Sequence, residues 1–354
     1  MSQVFINRIA CAVPQHQVHD AFTILVGRYV LDGRNSTTFH RMAARSQIEK
    51  RWSVLEASEP RGSGTTCGFY AFGQPYPSTK TRIARFESEA PALAQMALDR
   101  LGLADEAKGV THIIFASCTG FAAPGLDQWV VNEYGIRGSV ERTVIGFMGC
   151  QAAINAMKSA WHIVRSDPGA RVIVMCLELC TLHLQGTTAM EQLLSFLIFA
   201  DGCATALVTA DPGGIRVDGF HAALVPQAAD QITWHIGDSG FDMTLSGLVP
   251  FTVAHAMPML AEAMLGGARP ADVDLWAVHP GGRTILDAVS HGLDLPEGAL
   301  AESRAVLREH GNMSSATVMF VLRDMMAKQT PGQFGCAIAF GPGVSAETMR
   351  FTTV

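Results

Sequence analysis

RTVIGFMGCQAAINAMKSAWHIVRSDPGARVIVMCL, residues 142–177, sets two apolar runs of strand length around one alanine-rich stretch. Residues 142–147 and 171–177 are short and almost uniformly apolar, the pattern of strands covered on both faces. Residues 151–165 carry small and apolar side chains over about four turns and read as the helix between them. Buried strands joined through a helix define an α/β layered fold. Working outward, residues 112–117 (HIIFAS) repeat the strand signal and residues 90–103 the helical one. Downstream, residues 203–209 (CATALVT) form another strand, which ends at Asp211-Pro212-Gly213-Gly214, a strong turn. That turn is the expected boundary between a first half, 1–212, and a second half, 213–354. The second half restarts the order: a helix over 252–265, a strand over 274–278, helices opening at 284 and 313, and a strand over 335–340. The halves share an order of elements without a clear residue-level repeat, so internal duplication is suggested only by that order.

The chain has 354 residues, 48% of them hydrophobic and 16% charged, which is the composition of a compact protein with a large core. That excludes a disordered tail or scaffold. With 26 basic against 32 acidic residues the net charge is -6, which offers no basic face for a nucleic acid. Eight cysteines (Cys11, Cys67, Cys118, Cys150, Cys176, Cys180, Cys203, Cys336) are scattered, most of them in apolar runs. No pair of CxxC motifs supports a metal site, so they read as reduced thiols of an intracellular chain. The N-terminus lacks a signal peptide, and no apolar run approaches the length of a bilayer span, so the expected location is cytoplasmic, with no membrane partner.

Three residues at element junctions carry candidate chemistry. Cys150 stands where a strand ends and a small-residue helix begins, and free backbone N–H groups there favour a thiolate nucleophile. Its bland alternative is an inert core thiol. His279 ends the strand at 274–278 and precedes Pro280-Gly281-Gly282, which stops the strand and lets backbone approach a ligand. Asn312, beside Gly311 and just before a helix, is either a cap or a functional amide. Cys, His and Asn together fit two machines: a hydrolase with an oriented His base, or a decarboxylative condensing enzyme whose His and Asn hold a thioester oxygen. Spacing alone does not choose.

Four blocks in order resemble the type III polyketide synthases, the chalcone synthase-like group of the thiolase-fold condensing enzymes. They are Gly149-Cys150, Trp276 to Gly282 followed by Ile285-Leu286-Asp287, Gly311 to Ala316, and Phe340-Gly341-Pro342-Gly343. The resemblance implies a homodimer of pseudo-duplicated αβαβα halves in a five-layered thiolase-like fold, with no permanently bound cofactor and no metal. It implies that Cys150 takes a starter from an acyl-CoA, that His279 helps keep Cys150 a thiolate, and that His279 and Asn312 decarboxylate malonyl-CoA. The enolate then extends the acyl chain repeatedly before cyclisation to an aromatic or pyrone product.

The same resemblance makes Phe199 a gatekeeper between a coenzyme A tunnel and a cavity, and Trp234 a replacement for a second gatekeeper phenylalanine. Val225 falls at a cavity glycine, while Cys180 and His183 replace two cavity threonines. Cys118, Thr119 and Ser314 complete the expected cavity set, and Gly341, Pro342 and Gly343 form the cyclisation loop. Bulk at Trp234, Val225 and His183 should shrink or redirect the cavity. Arg41 and Arg45, on one helical face, match basic coenzyme A positions, with Gly281 and Gly282 beside them; a third such position is Thr38. The run 117–121 (SCTGF) is similar to bacterial members, including those that build tetrahydroxynaphthalene from malonyl-CoA alone. The rivals are a β-ketoacyl carrier-protein synthase III-like enzyme, a cysteine hydrolase and a catalytically dead binding module.

Overall fold

The computed structural model describes residues 2–57, 65–66, 69–71, 75–328 and 330–354. Cys67 lies outside the described residues, and the other seven cysteines are free.

Strands β1 (Phe5–Ala12), β2 (His112–Ser117), β3 (Glu141–Gly146), β4 (Val172–Leu179) and β5 (Asp201–Thr209) belong to the first half. Strand β6 (Ile215–Leu224), the hairpin β7 (Ile232–Gly237) and β8 (Gly240–Leu245), β9 (Leu275–Val278), β10 (Phe334–Gly341) and β11 (Ser345–Thr353) belong to the second. Nine of them hydrogen-bond in the order β9-β10-β11-β6-β1-β5-β4-β2-β3. Out from its centre the sheet repeats itself. β1 is antiparallel to β5, β5 antiparallel to β4, and β4 parallel to β2; β6 is antiparallel to β11, β11 antiparallel to β10, and β10 parallel to β9. The halves join where Phe5 and Ile6 of β1 pair with Arg216 and Ile215 of β6. The duplication is therefore one of topology.

The helices that cover these strands are α1 (Gly33–Arg45), α2 (Thr79–Leu101), α3 (Ala152–Ser166), α4 (Met190–Ile198), α5 (Val249–Leu265), α6 (Arg283–Gly292) and α7 (Thr317–Met326). Because neighbouring strand residues face opposite sides, β2 sends Ile113 and Phe115 to Phe86, Leu93 and Ala97 of α2. It sends Ile114 and Ala116 to the other face, where Ala152, Ala156 and Ala160 of α3 pack with Val318, Val321 and Leu322 of α7. Ala277, Ala337 and Ala339 of the second half close that same central layer. On the far side Trp276, Val278 and Ile338 meet Val253 and Met257 of α5 and Leu286 and Val289 of α6. The result is five layers, helix on sheet on helix on sheet on helix, in a thiolase-like fold. Alanines let α3 sit between two sheets, and each buried aliphatic side chain contributes ~1.5–3 kcal/mol.

Three elements depart from the sequence reading. β3, expected to be covered on both faces, is exposed over 141–144, because it is the last strand of the sheet. The helix expected from residue 90 begins at Thr79, where the Ser78 hydroxyl accepts from Thr81 N, and it passes through Pro91. Arg82, Phe86, Ala90 and Leu93 recur on one buried face, so packing carries the helix across the proline. The helix expected from 313 to 327 is split into a turn at Ser314–Ala316 and then α7, because Ser314 adopts a left-handed backbone, φ 47. β1, β6, β11 and the β7–β8 hairpin were not singled out from the sequence.

Candidate active site

Cys150 sits at the N-terminal end of the central helix. After β3 the chain reverses through Phe147 (φ 55) and Gly149 (φ 67), and a single turn, Gly149–Gln151, leads into α3. A Cβ at Gly149 would stand 2.4 Å from Cδ of Pro342, and one at Gly341 would stand 2.8 Å from the Met148 carbonyl oxygen. Side chains at these two glycines would hold apart the turns from the two halves. The Ser345 hydroxyl donates to Gln151 Oε1 at 2.9 Å and ties the same turns together.

His279 follows β9, its backbone N–H donating to Ile338 O at 2.7 Å. Its ring is 1% exposed, and neither Nδ1 nor Nε2 has a hydrogen-bond partner. Burial pulls its pKa down to about 3, so the ring is a neutral imidazole. Asn312 is held through its backbone: its N–H donates to Ile198 O at 2.8 Å, and Ala200 N donates to its carbonyl at 2.9 Å. Its side-chain oxygen Oδ1 accepts from Ser314 N at 2.8 Å and from the Thr317 hydroxyl at 3.4 Å. An oxygen, not an amino group, must face those donors, so Nδ2 is turned away from the turn with both N–H bonds.

The Cys150 Sγ–H donates to Asn312 Oδ1 at 4.0 Å. Burial pushes the Cys150 thiol up to about 11, against a hydrogen bond from Ser314 that lowers it. The expected thiolate is thus corrected. In the resting form the removal of water outweighs the helix N-terminus, and with His279 neutral the pair is thiol and imidazole.

Cys150, His279 and Asn312 line one apolar cavity of about 70 Å³. Phe199, Trp234, Cys118, Ser314, Gly281, Gly341 and Pro342 also line it. Leu245, Val249, Gly281 and Ile285 form a rim shared with an outer vestibule of about 430 Å³, which Arg45, Gly282 and Arg283 border. Arg41 is exposed on α1 outside the vestibule lining, and Gly343 (φ 72) shapes the turn behind Pro342.

Four residues expected in the wall are placed behind it. Thr119 turns its hydroxyl to Glu178 at 2.8 Å. His183 stacks on Phe241 at 4.2 Å, donates from Nε2 to Thr119 O and accepts Phe241 N–H at Nδ1. Cys180 packs beneath Phe199 and Met243, and Val225 packs against the α5 and α6 cluster. The β7–β8 pairing, Trp234 opposite Met243, supplies the wall instead.

Three contributors were missed. Glu178, fully buried, accepts from Cys118 N at 2.9 Å and from Ser315 Oγ at 2.5 Å, joining the end of β2 to the Ser314–Ala316 turn. A lone carboxylate inside the apolar run of β4 was the available signal. Arg51, 2% exposed, donates to the carbonyls of Phe196 and Phe199 and holds the end of α4. Arg283, directly after Gly282, adds the second vestibule cation.

The family model for chalcone and stilbene synthases matches this chain in both parts, the N-terminal domain over residues 9–212 and the C-terminal domain over 219–354. Pks18, an α-pyrone synthesis polyketide synthase-like protein of Mycobacterium tuberculosis, is 29% identical over 99% of this chain and 91% of its own length. The 1,3,6,8-tetrahydroxynaphthalene synthase of Streptomyces coelicolor is 34% identical over 77% of this chain and 75% of its own. The solved structure of that synthase superposes with a TM-score of 0.84 over 100% of this chain and 99% of that one, at 28% identity. The C-terminal type III polyketide synthase domain of Steely1, from Dictyostelium, shares the fold with a TM-score of 0.90 over 99% of each chain, at 23% identity.

Proposed function

The chain belongs to the chalcone and stilbene synthase family and is a type III polyketide synthase, an acyltransferase; from that premise we propose how its own residues divide the work. The observation that carries the reading is the meeting of Cys150, His279 and Asn312 in one apolar cavity behind a vestibule bearing Arg45 and Arg283. The two cations face the phosphates of coenzyme A, with Arg41 on the same helix. His279, neutral and free at both nitrogens, takes the Cys150 proton as an acyl-CoA enters, the thiolate that develops beside it raising the imidazole from its empty-site value near 3. The thiolate attacks the thioester carbonyl, the C–S bond to coenzyme A breaks, and the departing thiolate regains the proton.

Malonyl-CoA then places its thioester oxygen between the His279 N–H and the Asn312 Nδ2–H. Carbon dioxide leaves, and its bonding pair becomes an enolate whose oxygen those two donors stabilise. The enolate carbon attacks the acyl carbonyl on Cys150, the Cys150–acyl bond breaks, and a β-ketoacyl-CoA two carbons longer results. Phe199 and Trp234 bound the space in which the chain folds before cyclisation. The dry wall protects the enolate from water. No step calls for a resident cofactor.

We further infer a homodimer. β3 is the last strand of the sheet, and Glu141, Arg142, Thr143 and Val144 are exposed along it. An uncovered edge strand invites pairing with a second copy. The seven free cysteines fit a reducing cytoplasm, and no helix among the described residues is long and apolar enough to cross a membrane.

The test is incubation with labelled malonyl-CoA, alone and beside aromatic and fatty acyl-CoA starters, with mass analysis of products and of the Cys150 peptide. A cyclised polyketide and an acyl mass on Cys150 support the reading. Turnover only with carrier-protein thioesters would move the assignment to a carrier-protein synthase, and free acid without malonyl consumption to a hydrolase.

A further inference from the structure

Nine buried side-chain nitrogen or oxygen atoms among the described residues have no hydrogen-bond partner. Three of the nine belong to residues lining the Cys150 cavity: Nδ1 and Nε2 of His279, and Nε1 of Trp234. Buried donors are normally satisfied, so such clustering marks a place where a ligand completes the bonding. The His279 nitrogens are accounted for by proton transfer and the thioester oxygen. Trp234 Nε1 is not.

The surroundings of Trp234 offer no acceptor to its indole. The nearest polar ring, His183, lies 6.2 Å away between centroids, and both of its nitrogens are committed, to Thr119 O and to Phe241 N. Phe241 stands edge-on at 6.3 Å, and Cys180, Phe199 and Met243 complete the packing without a bond to Nε1. A phenylalanine would fill this apolar corner without leaving a donor stranded, as the indole does in the empty protein. The occupant that satisfies the donor must be mostly apolar yet carry a carbonyl. A β-ketoacyl chain has that character, with a ketone on alternate carbons, whereas a saturated starter has none beyond its thioester.

We infer that Trp234 is a specificity-determining residue whose Nε1–H donates a hydrogen bond to a ketone oxygen of the growing chain, so that the cavity prefers β-ketoacyl over saturated acyl thioesters. The inference rests on the polyketide synthase reading above and adds to it how the elongated chain is told from the starter. Trp234 from β7 thereby fixes one ketone while Cys150 or coenzyme A holds the thioester end, which limits how the chain can fold.

The test compares the binding of acetoacetyl-CoA and butyryl-CoA, which differ at the ketone, in Cys150→Ala protein so that no acyl transfer intervenes. With Trp234 present, acetoacetyl-CoA should bind about tenfold more tightly. Trp234→Phe should abolish that preference while leaving butyryl-CoA affinity within about twofold. Replacement of Trp234 by benzothienylalanine, which keeps the bicyclic shape and exchanges N–H for sulfur, should abolish it as well. Equal preference in tryptophan and benzothienylalanine proteins, or no preference with Trp234 intact, overturns the inference. Absence of malonyl-CoA decarboxylation by the unaltered enzyme would instead strike the polyketide reading, so the two failures are told apart.

Discussion

At Cys150 two local influences oppose each other. The helix N-terminus and the Ser314 hydrogen bond favour the thiolate, while burial favours the thiol and prevails, pushing the group up to about 11. Alkylation of the resting enzyme by iodoacetamide should therefore rise about tenfold per pH unit from neutrality to near pH 10. A plateau below pH 8 would show a preformed thiolate. On the proposed mechanism His279 and Asn312 act on the other substrate. Replacing either by alanine should slow malonyl-CoA decarboxylation by roughly 10²–10³-fold, the usual cost of losing one oxyanion donor. Cys150→Gln should retain decarboxylation and lose elongation, since it leaves both donors in place. Full decarboxylation by Asn312→Ala would remove that residue from the role.

Elements set these groups in register. The turn before α3 exists because Gly149 tolerates φ 67 with Pro342 against it, and the Asn312 loop is zipped to the end of α4 through Ile198 and Ala200. Gly149→Ala should cost ~1–3 kcal/mol and suppress acylation of Cys150. Gly138→Ala, where a Cβ meets nothing within 4 Å, should leave both melting temperature and acylation unchanged. Equal melting temperatures for the two variants would dissolve the argument from close approach. At this scale the sequence was legible where apolar runs were continuous, as in β2, whose expected bounds, 112–117, coincide with the structure. It was not legible in β11 (SAETMRFTT), whose polar residues are buried between β10, next to it in the chain, and the distant β6.

The whole molecule adds effects no single element carries. Four buried histidines are held neutral by burial, His19, His183 and His310 near 4 and His279 near 3. Each binds its proton more weakly folded than unfolded, so its stabilising contribution is complete above about 6.5 and is lost as pH falls toward 4. Asp201, raised by burial to about 6, and Glu178, also raised by burial, work in the opposite direction over their own ranges. With four groups against two, the melting temperature should drop between pH 6 and pH 4, at up to ~1.4 kcal/mol per pH unit for each histidine. A flat profile there would contradict the burial argument. For assembly, Val144→Asp, at a position 49% exposed on β3, should convert a dimer to a folded monomer in sedimentation. An unchanged sedimentation coefficient would place the interface elsewhere.

The sequence by itself determined the α/β class and singled out Cys150, His279 and Asn312 as candidates at element junctions. These are local properties: a buried strand must be apolar, and a turn tight enough to present a nucleophile or a base needs glycine or proline beside it. Only the tertiary structure decided which side chains form the wall. Thr119, Cys180, His183 and Val225 stand behind it, and a hairpin brings Trp234 and Met243 into it. Only the tertiary structure decided the protonation states as well. Whether a thiol or an imidazole is charged depends on how much water the whole fold removes from around it, and that is a sum over residues from both halves of the chain.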